Sequence, residues 1–432
     1  MKAKKKIFVA LLFLLTLVFA ACGKKANTDS KEADAGKTGK EVEVYFFHRW
    51  PNEPKKTYFD EMAKKFSEKH PNVKIRIERV INDSYKEKIG VLVSSNDIPD
   101  IFVSWSDSFA KNLVKSGKVR ELDDLYKENT EWSSNIMESQ KKGFTFDGKC
   151  YGVPLTIDGK AFFYNKDIFQ KLGLEAPKTY DELISVLDKL KDAGYKEPLV
   201  CGLTEPWVVS HYLGPIFDRV VPKEVREKDY NTDTAEFTDP GYVEGLNIFK
   251  KLTTYMGEVS SSIDHETSRN MFMSGKSPIV YLQLAEIRYL EQVDKPINFG
   301  YFNFPAVKDG KGEQNTLEGA PEGFMLSKDA PKEAIEFLQF LTSSEAAGKF
   351  TKDTGELTAI EGGVTEKTAS KASCEAYNVI KSAKSITPWF DNAVDINVGD
   401  VFMRGGQSLA IDQTTPEQIM KDVQAAAAKL KK

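Results

Sequence analysis

The 432-residue chain has little cysteine or histidine, four of each, and they are scattered along its length. No group of them has the spacing of a zinc site, and four thiols cannot build a dense disulfide framework. An excess of charge of one sign is also missing, since 60 Lys and Arg stand against 64 Asp and Glu for a net −4. The chain has no global basic field to gather nucleic acid, which argues against a polyanion partner. No period of about 20 to 50 residues repeats, so a solenoid is not indicated. G-x-S-x-G, H-E-x-x-H and a G-x-G-x-x-G following a strand are all absent, and with them the commonest hydrolase, metalloprotease and dinucleotide signatures. Ser274-Gly275-Lys276-Ser277 ends like a phosphate-binding loop, but Asn270 stands where the first Gly of that loop is required. What is present is ordinary globular composition, 41% hydrophobic, 29% charged and 11% aromatic, on a chain long enough for two or three domains.

The N-terminus stands apart from the rest. Lys2, Lys4, Lys5 and Lys6 precede an apolar run from Ile7 to Ala21, broken only by Thr16. A basic head followed by an apolar stretch shorter than the roughly 20 residues of a spanning helix is an export signal. Phe19-Ala20-Ala21-Cys22-Gly23 follows and resembles a bacterial lipobox, with Phe19 in place of the usual Leu. Cleavage there makes Cys22 a lipidated N-terminus, and the alternative is a cut at an A-x-A-like site with Cys22 a bystander. Removal of residues 1–21 takes away four lysines and moves the net charge from −4 to −8. Gly23 to Lys40 contains no aromatic or branched aliphatic residue, reads as a flexible tether at residues 22–40, and leaves the globular body to begin near Glu41.

Beyond the tether the pattern is that of an α/β protein. Val42-Glu43-Val44-Tyr45-Phe46-Phe47 predicts a strand, and Phe59, Met62, Ala63 and Phe66 repeat as the stripe of an amphipathic helix. Val73 to Ile77 alternates as a half-buried strand, a helix is expected around Tyr85 to Ser94, and Ile101-Phe102-Val103 reads as a buried strand. That order is the βαβ signature of a mostly parallel sheet. Thr179-Tyr180-Asp181-Glu182 is a capping box ahead of the stripe Leu183, Val186, Leu187 and Leu190. The last helix opens with Thr415 as cap, Pro416 at its first position and Gln418 at its third, and turns Ile419, Val423 and Leu430 inward.

Candidate function rests on aromatics with polar neighbours at strand ends and loops: His48-Arg49-Trp50-Pro51, Ser104-Trp105-Ser106-Asp107, Glu205-Pro206-Trp207 and Pro388-Trp389-Phe390-Asp391. In open α/β sheets ligands sit beyond the carboxyl ends of the strands, where Trp50 and Trp105 are expected. A sugar needs this combination, because its C–H face packs on an aromatic ring while carboxylates and amides bond its hydroxyls. A single Trp is usually core, and Trp132, in a polar stretch, is read that way. Cys150 and Cys201 lie in apolar contexts typical of inert thiols, and sequence alone does not say whether they are bridged.

Several segments together resemble the family 1 extracellular solute-binding proteins, the lipoprotein receptors of carbohydrate ABC importers. They are Pro99-Asp100-Ile101, Tyr151-Gly152-Val153-Pro154, and Tyr164-Asn165-Lys166-Asp167-Ile168-Phe169 followed by Leu172-Gly173-Leu174, Pro177, Thr179 and Asp181-Glu182-Leu183. Phe272 with Gly275-Lys276, Ala334 to Leu341 ahead of Ser343-Ser344-Glu345, and Thr415-Pro416-Glu417 extend the resemblance over essentially all of the chain after the leader. It implies a two-lobed, hinge-bending fold of the periplasmic-binding type (type II), each lobe a mostly parallel sheet flanked by helices. The expected divisions are residues 41–157 with 304–355 for the first lobe and 158–303 with 356–432 for the second.

The resemblance to maltodextrin-binding members implies site residues one by one. Trp105 and Asp107 fall where those members have a stacking Trp and a hydroxyl-binding Asp, Asp158 on a ligand-binding Glu, Glu205 and Trp207 on a Glu-Pro-Tyr segment, and Trp389 near a C-terminal stacking Trp. Another family Trp is replaced by about Ala285, with Tyr281 and Gln283 beside it, so that subsite is remodelled. Trp50, Gln283, Glu322 and Asp391 complete the expected ligand set, with Arg404 a weaker candidate. Asp158 also reads as a hinge residue, Glu205 as a solvated loop charge and Asp391 as an N-cap. The implied protein is a monomeric, non-enzymatic receptor on the extracellular face of the cell membrane. It is anchored through Cys22, needs no cofactor or metal, and delivers an oligosaccharide to ABC permease subunits. Two alternatives remain open at this point: a secreted glycoside hydrolase using Asp107, Asp158 or Glu205 as a carboxylate pair, and the same receptor with a non-sugar solute.

Overall fold

The computed structural model describes residues 40–95 and 97–431, so the leader, Cys22 and most of the tether lie outside the described residues. From Val42 the chain alternates strand and helix. Strands Val42–His48, Val73–Arg79 and Ile101–Trp105 pair in parallel, joined by helices Lys55–Lys69 and Asn82–Ser94. The first helix buries Tyr58, Phe59, Met62, Ala63 and Phe66, the stripe its apolar spacing predicts. Strand Glu322–Leu326 then inserts between Ile101–Trp105 and Gly152–Thr156, antiparallel to both, to complete a five-stranded sheet.

A second sheet carries the other lobe, in the order Phe299–Phe302, Lys160–Asn165, Ile279–Gln283, Leu199–Val200. Its core shows the two-residue period of a strand covered on both sides. Phe162 belongs to one apolar cluster with Ile279 and Tyr281, whereas Ala161 and Phe163 belong to another with Val280 and Leu282. Helix Tyr180–Asp192 begins with the capping box, Thr179 accepting from the Glu182 N–H while Glu182 accepts from the Thr179 N–H, and it buries Leu183, Val186, Leu187 and Leu190. The closing helix Pro416–Leu430 is capped by Thr415 as its sequence foretells.

The expectation of two α/β lobes, each a mostly parallel sheet flanked by helices, therefore holds, with one reversed strand in each sheet. Glu322–Leu326 runs against the other four strands of the first sheet, and Lys160–Asn165 against the other three of the second. The cause is the crossing of the chain between lobes. Strands that run out of one lobe end at the inter-sheet boundary, and strands entering from it, such as Lys160–Asn165 and Glu322–Leu326, must start there and run the other way. At residue 304, the expected lobe boundary, the chain is still packed against the second sheet. Phe304 and Val307 pack in the core of the second sheet, Ala306 bridges Thr179, and the first sheet is rejoined at Glu322. The third crossing follows Gly355, where the Ile157 N–H donates to the Leu357 carbonyl at 3.0 Å and Thr156 bridges Thr358.

Cys150 and Cys201 are free and buried, and burial pushes the Cys201 thiol up to about 12, so both are inert packing groups. Trp132 is structural as expected, its N–H donating to Thr342 Oγ1 at 3.0 Å. Among the described residues no helix is long and apolar enough to cross a membrane.

Candidate functional site

The strands of both sheets end or begin at one cleft. Register aligns the rim: Glu322 lies opposite Trp105 and Thr156 in the first sheet, and Lys160 opposite Gln283 in the second. The cleft between them has a volume of about 330 Å³ and draws its lining from both lobes and the crossings. Eight of the ten residues expected to hold ligand are there: Trp105, Asp158, Glu205, Trp207, Gln283, Glu322, Trp389 and Asp391.

Trp50 and Asp107 are not among the lining residues. Trp50 is 5% exposed, stacked on Phe59 with centroids 5.0 Å apart and planes 9° apart, and Lys55 and Arg49 roof its ring. It supports the side chains that face the cleft. Asp107 opens helix Asp107–Val114 in a left-handed conformation, φ +59°, and accepts from Ser106 Oγ at 2.5 Å. Burial pushes its carboxyl up to about 6, the property of a packed turn residue. Asp391 does not cap a helix. It accepts from Ser210 Oγ at 2.9 Å and from Lys86 Nζ at 3.2 Å, the latter reaching across from the first lobe. Arg404 is exposed and paired with Asp400 on its own helix, away from the cleft.

Sequence reasoning missed most of the cleft's charges. Arg49 forms a fork on Glu322, its Nε 3.0 Å from Oε2 and its Nη2 on Oε1. Glu356, on the third crossing, takes Lys55 of the first lobe and Arg288 of the second, each at 2.7 Å. Burial would raise its carboxyl, but Arg288 and Lys55 hold it down at about 2, so it stays an anion and clasps the two lobes. Ser108 Oγ adds a direct bond across the rim to the Ala393 carbonyl at 2.7 Å. Glu286 accepts from His265 Nε2 and Arg269 Nη1, both at 2.8 Å, and from the Gln283 N–H at 3.1 Å. Burial opposes its charge, yet His265, Lys160 and Arg269 keep it well below the usual carboxylate range. No spacing in the sequence marks the ion pairs, because each joins residues from separate elements, and only the Gln283–Glu286 contact is a local capping box.

Asp158 behaves in the opposite way. It sits on the first crossing, and its Oδ1 accepts the N–H groups of Gly159 at 2.8 Å and Ala285 at 3.1 Å. Burial, with Glu356 and Glu286 nearby, overcomes those bonds and pushes it up to about 8. It is therefore mainly protonated at neutral pH, with one donor to offer.

Rings supply the rest of the surface. Arg49 and Lys86 stand over Trp105, at 5.0 Å and 4.8 Å from the ring centre. In the second lobe Trp207 meets the rings of His211 and His265 edgewise at 5.0 Å and 4.9 Å, and Trp389 stacks on His211 at 4.4 Å and 19°. Helix Pro206–Val220 places Trp207 and His211 one turn apart on the same face. Among the described residues no group of three or more His, Cys, Asp or Glu could hold a metal ion.

Comparison with known proteins points the same way. The family model described as bacterial extracellular solute-binding protein matches residues 50–348. An uncharacterized ABC transporter extracellular-binding protein of Pyrococcus horikoshii is 26% identical over 345 residues, 78% of this chain and 77% of that one. The diacetylchitobiose binding protein DasA of Streptomyces coelicolor is 25% identical over 399 residues, 89% of this chain and 90% of its own. A solved chitin oligosaccharide binding protein superposes with a TM-score of 0.81 at 23% identity, covering 91% of this chain and all of the other. That likeness shows a shared two-lobed fold.

Proposed function

The chain belongs to the bacterial extracellular solute-binding proteins, and from that premise we propose that its cargo is a neutral sugar or oligosaccharide, closed between the lobes and handed to the membrane subunits of an ABC importer. The observation that carries this reading is the cleft's combination of rings and cancelled charge. Five cationic side chains line it against five acidic ones once Asp158 is counted as protonated. Anionic cargo would want unopposed Arg or Lys, and a polyamine would want an acid excess. Interlocked ion pairs instead leave spare lone pairs and N–H groups for hydroxyls, beside the Trp105, Trp207 and Trp389 rings that suit C–H faces. The binding specificities in the names of DasA and of the solved chitin oligosaccharide binding protein support the same class.

Closure follows from differential contacts. Lys86 on Asp391, Ser108 on Ala393 and the Lys55–Glu356–Arg288 clasp exist only with the lobes together, and a ligand touching both lobes shifts the population that way. No bond in the cargo is broken, so incubation with glycans should return them unchanged. Calorimetry and tryptophan fluorescence against an oligosaccharide panel test the cargo, and silence from every glycan would sink the carbohydrate reading.

Protonated Asp158 gives the binding a pH signature. Its carboxyl donates below about 8 and becomes an unwelcome anion beside Glu356 and Glu286 above it. Affinity is expected to be flat from pH 6 to 7.5 and to fall by up to about tenfold per unit beyond 8, the limit for one lost proton. The linked stability has the same sign. A raised folded pKa contributes stability in full below the ordinary value of 3.8 and loses it as pH rises through about 8. In Asp158→Asn the alkaline fall in affinity should vanish, and its persistence would remove Asp158 from the site.

We further propose that Cys22 carries a lipid and that the monomeric body works on a tether at the extracellular face of the membrane. The supports are the basic head, apolar run and lipobox-like Phe19 to Gly23. Cys22→Ser should move the protein from the membrane fraction to the medium in its native host, and unchanged fractionation would refute the anchor.

A further inference from the structure

The second lobe holds a buried lysine that no part of the cargo reading has used. Lys160 is fully buried at the first position of its strand, and its Nζ lies 3.1 Å from His211 Nδ1, 5.3 Å from the centre of Trp207 and 5.5 Å from that of Tyr281. The ammonium is thus boxed by two ring faces and one imidazole nitrogen. An ammonium has three donors and no acceptor, so Nδ1 must present its lone pair and the ring proton must sit on Nε2. Among the described residues His211 Nε2 has no protein partner, and the ring lines the cleft between Trp207 and Trp389.

We infer that Lys160 is a positioning residue that locks His211 in the Nε2–H tautomer, making His211 a fixed hydrogen-bond donor to the cargo and a determinant of which sugar oxygens are accepted. The inference rests on the cargo reading above and adds a residue and a polarity to it. A neutral imidazole free to choose its tautomer could donate or accept, whereas this one can only donate. A ligand must therefore offer a lone pair between the two indoles, which any hydroxyl or amide carbonyl can do and an ammonium cannot. The surroundings keep the ring neutral. Burial, then Lys160, His265 and Lys86, all disfavour an imidazolium, while the Glu286 carboxylate is occupied by His265 and Arg269. Burial lowers the pKa of Lys160, and the Glu286 carboxylate is the largest influence that favours its charged form. Trp389 covers one face of the ring and Trp207 meets its edge, so the plane cannot turn without disturbing both.

The test uses the full-length mature protein with 15N-labelled histidine, His211 being assigned by its loss in His211→Gln. In the ligand-free protein the His211 ring should show a protonated Nε2 and a bare Nδ1, unchanged from pH 6 to 8. A ring protonated on Nδ1, an imidazolium or a tautomer mixture would overturn the inference. Lys160→Met should release the ring into a mixture of tautomers and weaken binding of a sugar found in the panel by about tenfold, the worth of one well-placed hydrogen bond. In the His211→Gln background the same Lys160 change should cost no further affinity, whereas a purely structural Lys160 would give additive losses. A bound sugar that leaves the Nε2–H resonance unmoved also overturns it. If the panel finds no sugar, the cargo reading fails by itself, and the ligand-free spectrum still decides this one.

Discussion

Replacing Glu286 with alanine is expected to lower the melting temperature by on the order of 10 °C. The carboxylate is 7% exposed and satisfies His265, Arg269 and the Gln283 N–H together. Its removal leaves Arg269, itself 9% exposed and stacked over Tyr289 at 3.9 Å, with only the exposed Glu266 at 3.8 Å, and leaves Lys160 without its largest favourable neighbour. Breaking a buried pair from one side costs about 3–5 kcal/mol, because the surviving charge keeps its desolvation penalty. At about 2–4 °C per kcal/mol for a domain the size of a lobe, that is the stated shift. The pH dependence has a definite sign. The folded carboxyl is held below its ordinary value of 4.5, so its contribution is fully present above that value and is lost as pH falls through the lower folded pKa. Calorimetric scans should therefore show a large gap between wild type and Glu286→Ala at pH 7 that narrows in acid. A gap under about 2 °C at pH 7 would mean that the pair is solvated and carries no weight.

The same residue shows why part of the site was legible in the sequence and part was not. Local signals came through: the Thr179 box, the Phe59 to Phe66 stripe and the Thr415–Pro416 start all form as their spacing requires, since each is decided within two turns of one helix. The resemblance carried Trp105, Glu205, Trp207 and Trp389 to the cleft because a strand end or helix start fixes each of them. Trp50 looked equivalent but packs on Phe59, which depends on how the following helix folds back. The partners of Glu286, Glu356 and Asp391 were invisible for a related reason. Lys55 and Glu356 are 301 positions apart, and Lys86 and Asp391 are 305. Ion pairs at such separations obey no periodicity and emerge only from the topology. The one reversed strand in each sheet was hidden on the same ground, as the crossings between lobes turn Glu322–Leu326 and Lys160–Asn165 against neighbours that run together.

The second large effect is expected on affinity. Trp207→Ala should weaken sugar binding by roughly 30- to 150-fold, about 2–3 kcal/mol, the range of a central indole at a recognition site. The ring is half-buried, held edgewise by His211 and His265 and backed by the Lys160 ammonium, so it is a rigid platform with little ordering left to lose on binding. Its helix begins one residue earlier at Pro206, which needs no N–H partner there and fixes the backbone beneath the indole. Trp207→Phe keeps a flat apolar face and should recover most of the loss. Trp389→Ala separates platform from packing. Trp389 is 4% exposed and lies flat on His211, so its removal should lower the melting temperature as well as affinity, whereas Trp207→Ala should act mainly on affinity. Parallel calorimetric titrations and thermal melts of the three variants distinguish these outcomes. A Trp207→Ala protein that binds its glycan as tightly as the wild type would remove the indole from the site and move the sugar's stacking surface to the Trp105 side of the cleft.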